Sequence, residues 1–561
     1  MRRLKATLLA STVAVGTVGG LAVSTTMSSA ATVAPKAPVP ASAPAAAVTP
    51  ATGVAAAATS GVAWGKCADE TLQKFGAVCG TLSVPLDYGK PKGAKIKLAL
   101  SMVKHKTTDP KKYQGVMLVN PGGPGGSGLI YSILQAFVPK HGGDGYDWIG
   151  FDPRGVGDST PRVNCDPKYF AGPRPLYEPV TPQLERTWLA KSKGYAQACG
   201  KNAGALLSHM KTTDWARDMD SIRVALGQKQ INYYGYSYGT YLGQVYATLF
   251  PGKVRRAVLD GVVNPKRVWY QANLDQDFAF ERNIKIFFAW VAKYDAVYHL
   301  GSTAQQVEDR FYQQRFELAQ SPAGGVVGAD EWTDIFLGAG YNNGSWIGLG
   351  KLWSDYEKTK DAAPLVEAAN NANGVGDDNL FAVYNAVQCT DTQWPTSWAQ
   401  WRRDNWRTYA DARFNTWGNV WFNAPCLFWP AKAGKAVTVN GSKTPPILLV
   451  SETLDAATPY SGALEARKLF PTSRLLAIPG GVNHAGSLLS GNACEDVLVA
   501  DYLLTGKLPA RKKGAGPDAT CAALPFPDPT APAPAATKQA PQVADNPRVA
   551  PLRLLLTPGV R

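Results

Sequence analysis

The chain has 561 residues, of which 45% are apolar and 16 are tryptophan, a composition that excludes a disordered protein and supplies a large buried core. Its formal charge of +15 falls to about +11 when the four basic residues of the first 60 positions are subtracted. The remaining basic residues are scattered along the chain, whereas a nucleic-acid binder clusters them with aromatic partners, so we expect no nucleic-acid partner.

Residues 1 to 30 predict a secretory signal peptide. Arg2, Arg3 and Lys5 precede a small-residue apolar run that ends in SSAATVA, a typical cleavage context. An uncut membrane anchor is the alternative, but the run is poor in Leu, Ile and Phe. Residues 31 to 61 are Ala/Pro-rich and predict a linker or propeptide. No later run predicts a membrane span, so we expect a secreted, extracellular protein.

Six short apolar runs then recur, each ending near Gly, Asp or Asn, as buried parallel strands do. They are VMLVNPG (116 to 122), WIGFDPRG (148 to 155), INYYGYS (231 to 237), VRRAVLDGVV (254 to 263), PILLVSETLD (446 to 455) and RLLAIPG (474 to 480). Helical patterns such as DWARDMDSIRVALG separate several of them. This alternation predicts an α/β fold with a mostly parallel sheet.

The alternation stops between about residues 266 and 440, where Trp, Phe and Tyr recur at helical spacing and predict a helical insertion. We therefore expect a first core part over 62–265, a helical cap over 266–440 and a second core part over 441–525. The Pro/Ala-rich residues 526–561 predict a mobile tail.

Eight cysteines in an exported chain predict disulfides. Their order suggests local pairs, one connectivity among 105. The pairs are Cys67–Cys79, Cys165–Cys199, Cys389–Cys426 and Cys494–Cys521. Zinc is the alternative, but the chain has no CxxC and no histidine near a cysteine, so we expect no metal and no cofactor.

The pentapeptide GYSYG places Ser237 between two glycines, after the apolar run INYY and before the helical pattern TYLGQVYATLF. A nucleophile on a sharp strand-to-helix turn needs glycines because side chains would crowd that turn. The motif alone also arises by chance in Gly-rich chains. Its strand and helix context favours Ser237 as a nucleophile.

A serine nucleophile requires a base and a residue that orients the base. Of five histidines, His484 directly follows the last predicted strand, in PGGVNHAGS. Asp455 closes the predicted strand PILLVSETLD, although an aspartate there is by itself more typical of a turn or helix cap. The order Ser237, Asp455, His484 is that of α/β-hydrolase triads.

An oxyanion requires backbone N–H donors, one of them from the residue after the nucleophile. NPGGPGGSG, residues 120 to 128, is a suitable loop after VMLV. A phosphate loop is the alternative, but no GK[ST] follows. We assign Gly123 and Tyr238 as the donors.

Together, NPGGPGGSG, GFDPRGVGDS, GYSYGTYLG, ETLDAATP and PGGVNHAGS resemble the secreted tripeptidyl aminopeptidases of actinomycetes, relatives of the proline iminopeptidases. The resemblance covers about residues 64 to 525. It implies an α/β-hydrolase fold with helices on both faces of a mostly parallel central sheet, and a large cap inserted between strands 6 and 7. It also implies that 441–525 is the C-terminal region of that family. Pro121 replaces the histidine of the iminopeptidase loop, which affects substrate preference more than chemistry.

The resemblance implies an exported serine exopeptidase that releases short peptides, tripeptides in that family, from the free amino terminus of peptides or proteins. Such an enzyme needs a carboxylate for the substrate ammonium. Candidates are Asp275, Asp277 and Glu281, and we expect each to be a solvated charge on a helix face. Two alternatives stay open: an esterase or lipase with the same triad, and a non-catalytic cell-wall-binding protein. A monomer is favoured.

Overall fold

The computed structural model describes residues 61–531. The expected signal peptide, nearly all of the expected linker, and residues 532–561 of the expected tail lie outside the described residues.

Within residues 61–531, ten strands form one sheet in the order β1-β2-β3-β5-β4-β6-β7-β8-β9-β10. The strands are β1 (Gly65–Lys66), β2 (Val78–Pro85), β3 (Lys95–Val103), β4 (Val116–Asn120), β5 (Asp147–Asp152), β6 (Ile231–Tyr236), β7 (Val254–Asp260), β8 (Leu448–Glu452), β9 (Arg474–Ile478) and β10 (Ala519–Thr520). Following the sheet order from β5 to β10, every pair of neighbouring strands is parallel.

The six apolar runs correspond to β4 through β9, which confirms the mostly parallel α/β sheet. Each of these strands ends one to three residues before its run does, with β7 ending at Asp260 and β8 at Glu452. Asp455 therefore lies in the loop after β8 and does not close the strand, because the chain turns away from β9 after Glu452.

The antiparallel edge of the sheet was not predicted. Strands β1, β2 and β3 pair antiparallel, and β3 joins β5 in the same sense. Strand β2 is only partly buried, so it has no continuous apolar run to mark it. Strands β1 and β10 have two residues each and depend on their neighbours for backbone partners.

Fifteen α-helices also lie within residues 61–531. They are α1 (Glu70–Lys74), α2 (Pro182–Ala203), α3 (Thr212–Ala225), α4 (Tyr238–Leu249), α5 (Tyr270–Lys293), α6 (Asp295–Tyr298), α7 (Ala304–Gln320), α8 (Ala329–Tyr341), α9 (Trp346–Thr359), α10 (Ala363–Asn373), α11 (Asn379–Asp391), α12 (Trp398–Asp411), α13 (Thr416–Asn423), α14 (Ser461–Leu469) and α15 (Ala493–Thr505). None of them is both long enough and apolar enough to cross a bilayer.

The two faces of the sheet are covered by different helices because side chains alternate along each strand. In β4, Leu118 packs in the core that contains Trp215 of α3 and Leu242 of α4. Its neighbour Val119 packs in a second core with Val499 of α15. This confirms helices on both faces.

Helices α5 to α13 lie between β7 and β8, which are strands 6 and 7 when the short β1 is not counted. Several of these helices share an aromatic core of their own, which includes Phe287, Trp332, Phe336 and Trp353. Each fully buried large side chain of this kind contributes about 1.5–3 kcal/mol. The insertion is therefore a packed layer with its own hydrophobic interior.

The cysteines are bonded in the pairs that their order suggests. The Cys494–Cys521 bond joins α15 to the segment after β10. The chain then runs to the cap, where the Phe526 ring lies 4.8 Å from the Trp346 ring and the Trp290 indole donates to the Pro527 carbonyl. The first residues of the expected tail are thus packed against α5 and α9.

Candidate active site

Ser237 occupies the turn between β6 and α4, with φ of 55° and ψ of −127°. A non-glycine residue in this conformation carries strain of about 1–3 kcal/mol. The Ser237 N–H donates to the Asp260 carbonyl at 2.9 Å, which fixes the turn against β7. Gly235 and Gly239 leave room for it: a Cβ on Gly239 would lie 2.5 Å from the Asn120 carbonyl oxygen. The turn thus directs the serine side chain away from the sheet.

The glycine loop after β4 lies against this turn. Gly122 has φ of +101°, and a Cβ there would lie 2.8 Å from Ser237 Cβ and 3.0 Å from the Tyr238 nitrogen. The Asn120 side chain accepts the Gly122 N–H at 3.1 Å and holds the loop in place. Only glycine permits this close approach. The loop that sequence assigned to the oxyanion donors therefore adjoins Ser237.

Asp455 and His484 form a buried pair. The distance from His484 Nδ1 to Asp455 Oδ2 is 2.8 Å, and the side chains are 4% and 0% exposed. Burial by itself lowers the pKa of His484, but the charge and hydrogen bond of Asp455 outweigh it, so the pKa is raised. This pair fixes the imidazole with Nδ1 protonated and Nε2 available as an acceptor. Within residues 61–531, Nε2 is buried and has no hydrogen-bond partner.

His484 also approaches the turn that holds Ser237. A Cβ on Gly261 would lie 3.1 Å from His484 Cε1. Gly261 directly follows Asp260, whose carbonyl binds the Ser237 N–H. The imidazole of His484 therefore lies at the end of the sheet where the serine is placed.

Comparison with known proteins identifies the family. A family model described as alpha/beta hydrolase fold matches residues 115–484. A tripeptidyl aminopeptidase from Streptomyces lividans is 43% identical over 478 residues, which cover 83% of this chain and 88% of that protein. This chain belongs to the α/β-hydrolase family.

Within the family it is a serine-peptidase homologue of the tripeptidyl aminopeptidases. Serine protease Hip1 from Mycobacterium bovis is 30% identical over 486 residues, covering 80% of this chain and 89% of that protein. Carboxylesterase B from Mycobacterium tuberculosis is 31% identical over 481 residues, covering 80% and 88%.

Two residues of this α/β hydrolase that sequence reasoning missed support the histidine and its acid. Thr458 donates its N–H to Asp455 Oδ1 at 2.9 Å and its hydroxyl to Oδ2 at 2.7 Å. Asp260, at the end of β7, binds the N–H and hydroxyl of Ser487 at 2.8 and 2.6 Å. Burial raises the pKa of Asp260 to about 6, helped by the charge of Asp455, while the bonds from Ser487 oppose the rise. Asp260 could have been identified as a candidate from the sequence, because it follows an apolar run that predicts a strand.

The tyrosines of the GYSYG motif have separate supporting contacts. The Tyr236 hydroxyl donates to the Ser487 carbonyl at 2.9 Å, in the loop that carries the histidine. The Tyr238 hydroxyl lies 2.7 Å from the Thr212 hydroxyl, which donates to buried Asp391. Burial raises the Tyr238 pKa, so this phenol stays neutral. Its side chain thereby fixes the backbone whose N–H begins α4.

A cavity of about 140 Å³ opens beside the turn. Gly123, Ser237 and Tyr238 line it together with side chains of the helical insertion, and its walls are mainly aromatic and amide groups. These include Trp269, Asn273, Phe280, Tyr341, Tyr384, Gln388, Asn415, Asn419 and Phe422.

The three acids on α5 differ in environment. Asp275 lines the cavity, is partly exposed and pairs with Arg267 through Oδ1 at 2.6 Å. The expectation of solvated charges is wrong for Asp277 and Glu281, which are 1% and 5% exposed. Helices of the insertion pack over that side of α5, so Asp277 accepts from Asn419 and Glu281 accepts from the Phe414 N–H.

The described residues offer no metal site. Among residues 61–531, no group of three or more His, Cys, Asp or Glu side chains is arranged to hold a metal ion.

Proposed function

We propose that this protein is an exported serine exopeptidase that releases tripeptides from the free amino terminus of peptides or proteins. The observation that carries the proposal is the cavity beside the nucleophile turn, which is covered by the helical insertion and lined by both Ser237 and a carboxylate, Asp275. A covered cavity with an acid suits the end of a chain better than its middle. The 43% sequence identity to the tripeptidyl aminopeptidase of Streptomyces lividans supports a tripeptide product.

The reaction proceeds through an acyl-enzyme. Ser237 Oγ attacks the scissile carbonyl carbon while His484 Nε2 takes the hydroxyl proton, and Asp455 stabilises the resulting imidazolium. The N–H groups of Gly123 and Tyr238 donate to the oxyanion. His484 then passes the proton to the leaving amine, and the C–N bond breaks. Water, deprotonated by His484, then attacks the ester carbon, the bond from that carbon to Ser237 Oγ breaks, His484 returns the proton to Oγ, and the peptide acid leaves.

Asp275 binds the substrate ammonium in this proposal. Asp277 and Glu281 do not line the cavity, whereas Asp275 does. Arg267 occupies one side of the Asp275 carboxylate and leaves further lone pairs for a second cation. An ammonium and a carboxylate in a partly enclosed cavity attract each other more strongly than in bulk water.

An esterase is the second candidate, because carboxylesterase B from Mycobacterium tuberculosis is 31% identical. The deciding experiment compares free-amine tripeptide anilides, amine-blocked tripeptide anilides and p-nitrophenyl esters. We expect the free-amine anilide to be the best substrate, with the intact tripeptide identified by mass spectrometry. Equal rates on free and blocked anilides would contradict the exopeptidase proposal.

Two variants complete this experiment. Ser237→Ala should abolish hydrolysis of every substrate, since no other nucleophile replaces it. Asp275→Asn should raise KM for the free-amine anilide at least about tenfold and leave the blocked anilide unchanged. Glu367→Gln, an exposed acid on α10, is the matched control.

Export is supported by the four disulfides, which are typical of proteins outside the cytoplasm. We propose an extracellular location. Amino-terminal sequencing of the protein from culture medium tests it, and recovery only from the cytoplasm would contradict it.

A further inference from the structure

The loop that carries His484, residues 481–490, is held by three buried carboxyl groups from three different elements. Glu452 at the end of β8 accepts the Asn483 N–H at 2.6 Å. Asp260 at the end of β7 accepts from Ser487, and Asp496 on α15 accepts the Leu488 N–H at 2.6 Å. His484 lies between the first two of these attachments.

The glycines of PGGVNHAGS fit this arrangement. A Cβ on Gly481 would lie 2.3 Å from Glu452 Oε2, and one on Gly486 would lie 3.7 Å from Oε1. The loop therefore wraps closely around the Glu452 carboxyl on both sides of His484. A side chain at Gly481 would displace that carboxyl from its present position.

A further buried acid faces the same space. Glu495 in the first turn of α15 is 1% exposed, and its Oε2 has no hydrogen-bond partner among residues 61–531. The charged groups that act on it are Asp260, Glu452 and Asp496. Burial, reinforced by these neighbouring acids, holds the Glu495 pKa well above its usual range.

The other titratable groups around the cluster come from each neighbouring element. They are Tyr234 and Tyr236 on β6, Asp455 after β8, His484 itself and Asp496 on α15. Burial raises the Glu452 pKa to about 8, although the bonds from Asn483 oppose the rise. At neutral pH the cluster therefore keeps protons on Glu452 and Glu495 and limits the buried negative charge.

We propose that Glu452, with Asp260 and Asp496, is a positioning group for His484, and that it holds the histidine loop in its working geometry only while Glu452 is protonated. The inference rests on the proposed role of His484 as general base. Ionised Glu452 would add a second charge beside Asp260, which favours opening of the loop.

The test is the pH dependence of covalent labelling of Ser237 by a fluorophosphonate, which needs neither a peptide bond nor a free amine. In the native protein the labelling rate should fall at least about fivefold between about pH 7.5 and about pH 9.5. Glu452→Gln keeps a neutral group of the same shape, so it should label within about threefold of the native rate at neutral pH and show no alkaline fall. Glu452→Ala should label at least about tenfold more slowly. Glu367→Gln should follow the native profile.

Two results would overturn the positioning role alone: a Glu452→Gln profile that falls in parallel with the native one, or loss of labelling in this variant at neutral pH. Native protein that does not label at any pH would overturn the nucleophile assignment, and the positioning role with it. A protein that labels as expected but does not cleave free-amine peptides would contradict only the exopeptidase proposal.

Discussion

Replacing Glu452 by Gln should stabilise the protein, and the gain should grow with pH. Burial raises the Glu452 pKa from 4.5 to about 8. Below about pH 4.5 the carboxyl is protonated in both the folded and unfolded states and costs nothing. Between about pH 4.5 and pH 8 folding must take up a proton, so the free energy of unfolding falls by about 1.4 kcal/mol for each pH unit.

The magnitude follows from the same shift. The cost of keeping this group neutral is about 3 kcal/mol at pH 7 and approaches about 5 kcal/mol above pH 8. Gln does not titrate, so folding of this variant takes up no proton at position 452. The melting temperature of Glu452→Gln should therefore exceed that of the native protein only slightly near pH 5 and by a growing margin toward pH 8.

The assay is a series of thermal melts at about pH 5, 6, 7 and 8 for the native protein, Glu452→Gln and Glu367→Gln. The exposed control should differ from the native protein by the same small amount at every pH. A Glu452→Gln variant with a constant difference, or with a disadvantage that grows with pH, would refute the reasoning.

Three further predictions concern the site and its support. Gly122→Ala places a methyl group 2.8 Å from the Cβ of the proposed nucleophile, so kcat should fall about hundredfold while the circular dichroism spectrum stays unchanged. Activity near the native level would contradict this, because it would show that the glycine loop can shift to accept the methyl group. Thr458→Val removes the hydroxyl bond to Asp455 and should lower kcat about tenfold at constant KM, with Thr458→Ser as the control that retains activity. Replacing Cys494 and Cys521 by Ser opens a loop of 27 residues and should cost about 3.5 kcal/mol in chemical denaturation, and an unchanged midpoint would contradict this.

Local sequence was sufficient for the parallel strands and for the nucleophile turn. VMLV, INYY and RLLAI are apolar because both of their faces are buried, and this burial needs no knowledge of partners. The glycines around Ser237 mark a sharp turn, and a Cβ on Gly235 would lie 2.6 Å from the Gly239 carbonyl oxygen within the same turn. The cysteine pairs could be suggested from order because each joins segments close in the chain.

The environments of the acids on α5 and the pairing of β2 depend on packing between segments that are distant in the chain. Three acids of α5 lie within two helical turns of one another: Asp275, Asp277 and Glu281. The sequence alone predicts the same solvated environment for each of them. The packing of the insertion buries two of them and leaves the third at the cavity. Strand β2 likewise needs β3 to satisfy its backbone, and its half-buried pattern does not identify that partner.

By itself the sequence determined the α/β sheet, the turn at Ser237 and the acids and bases available to it, since hydrophobic periodicity and short-range sterics are encoded within a few residues. Only the tertiary structure decided that Glu452, and not Asp455, ends β8, and that Asp260, Glu452 and Glu495 gather behind His484. The physical reason is that a carboxyl acquires its environment from elements distant in the chain. Its protonation state then follows from that burial.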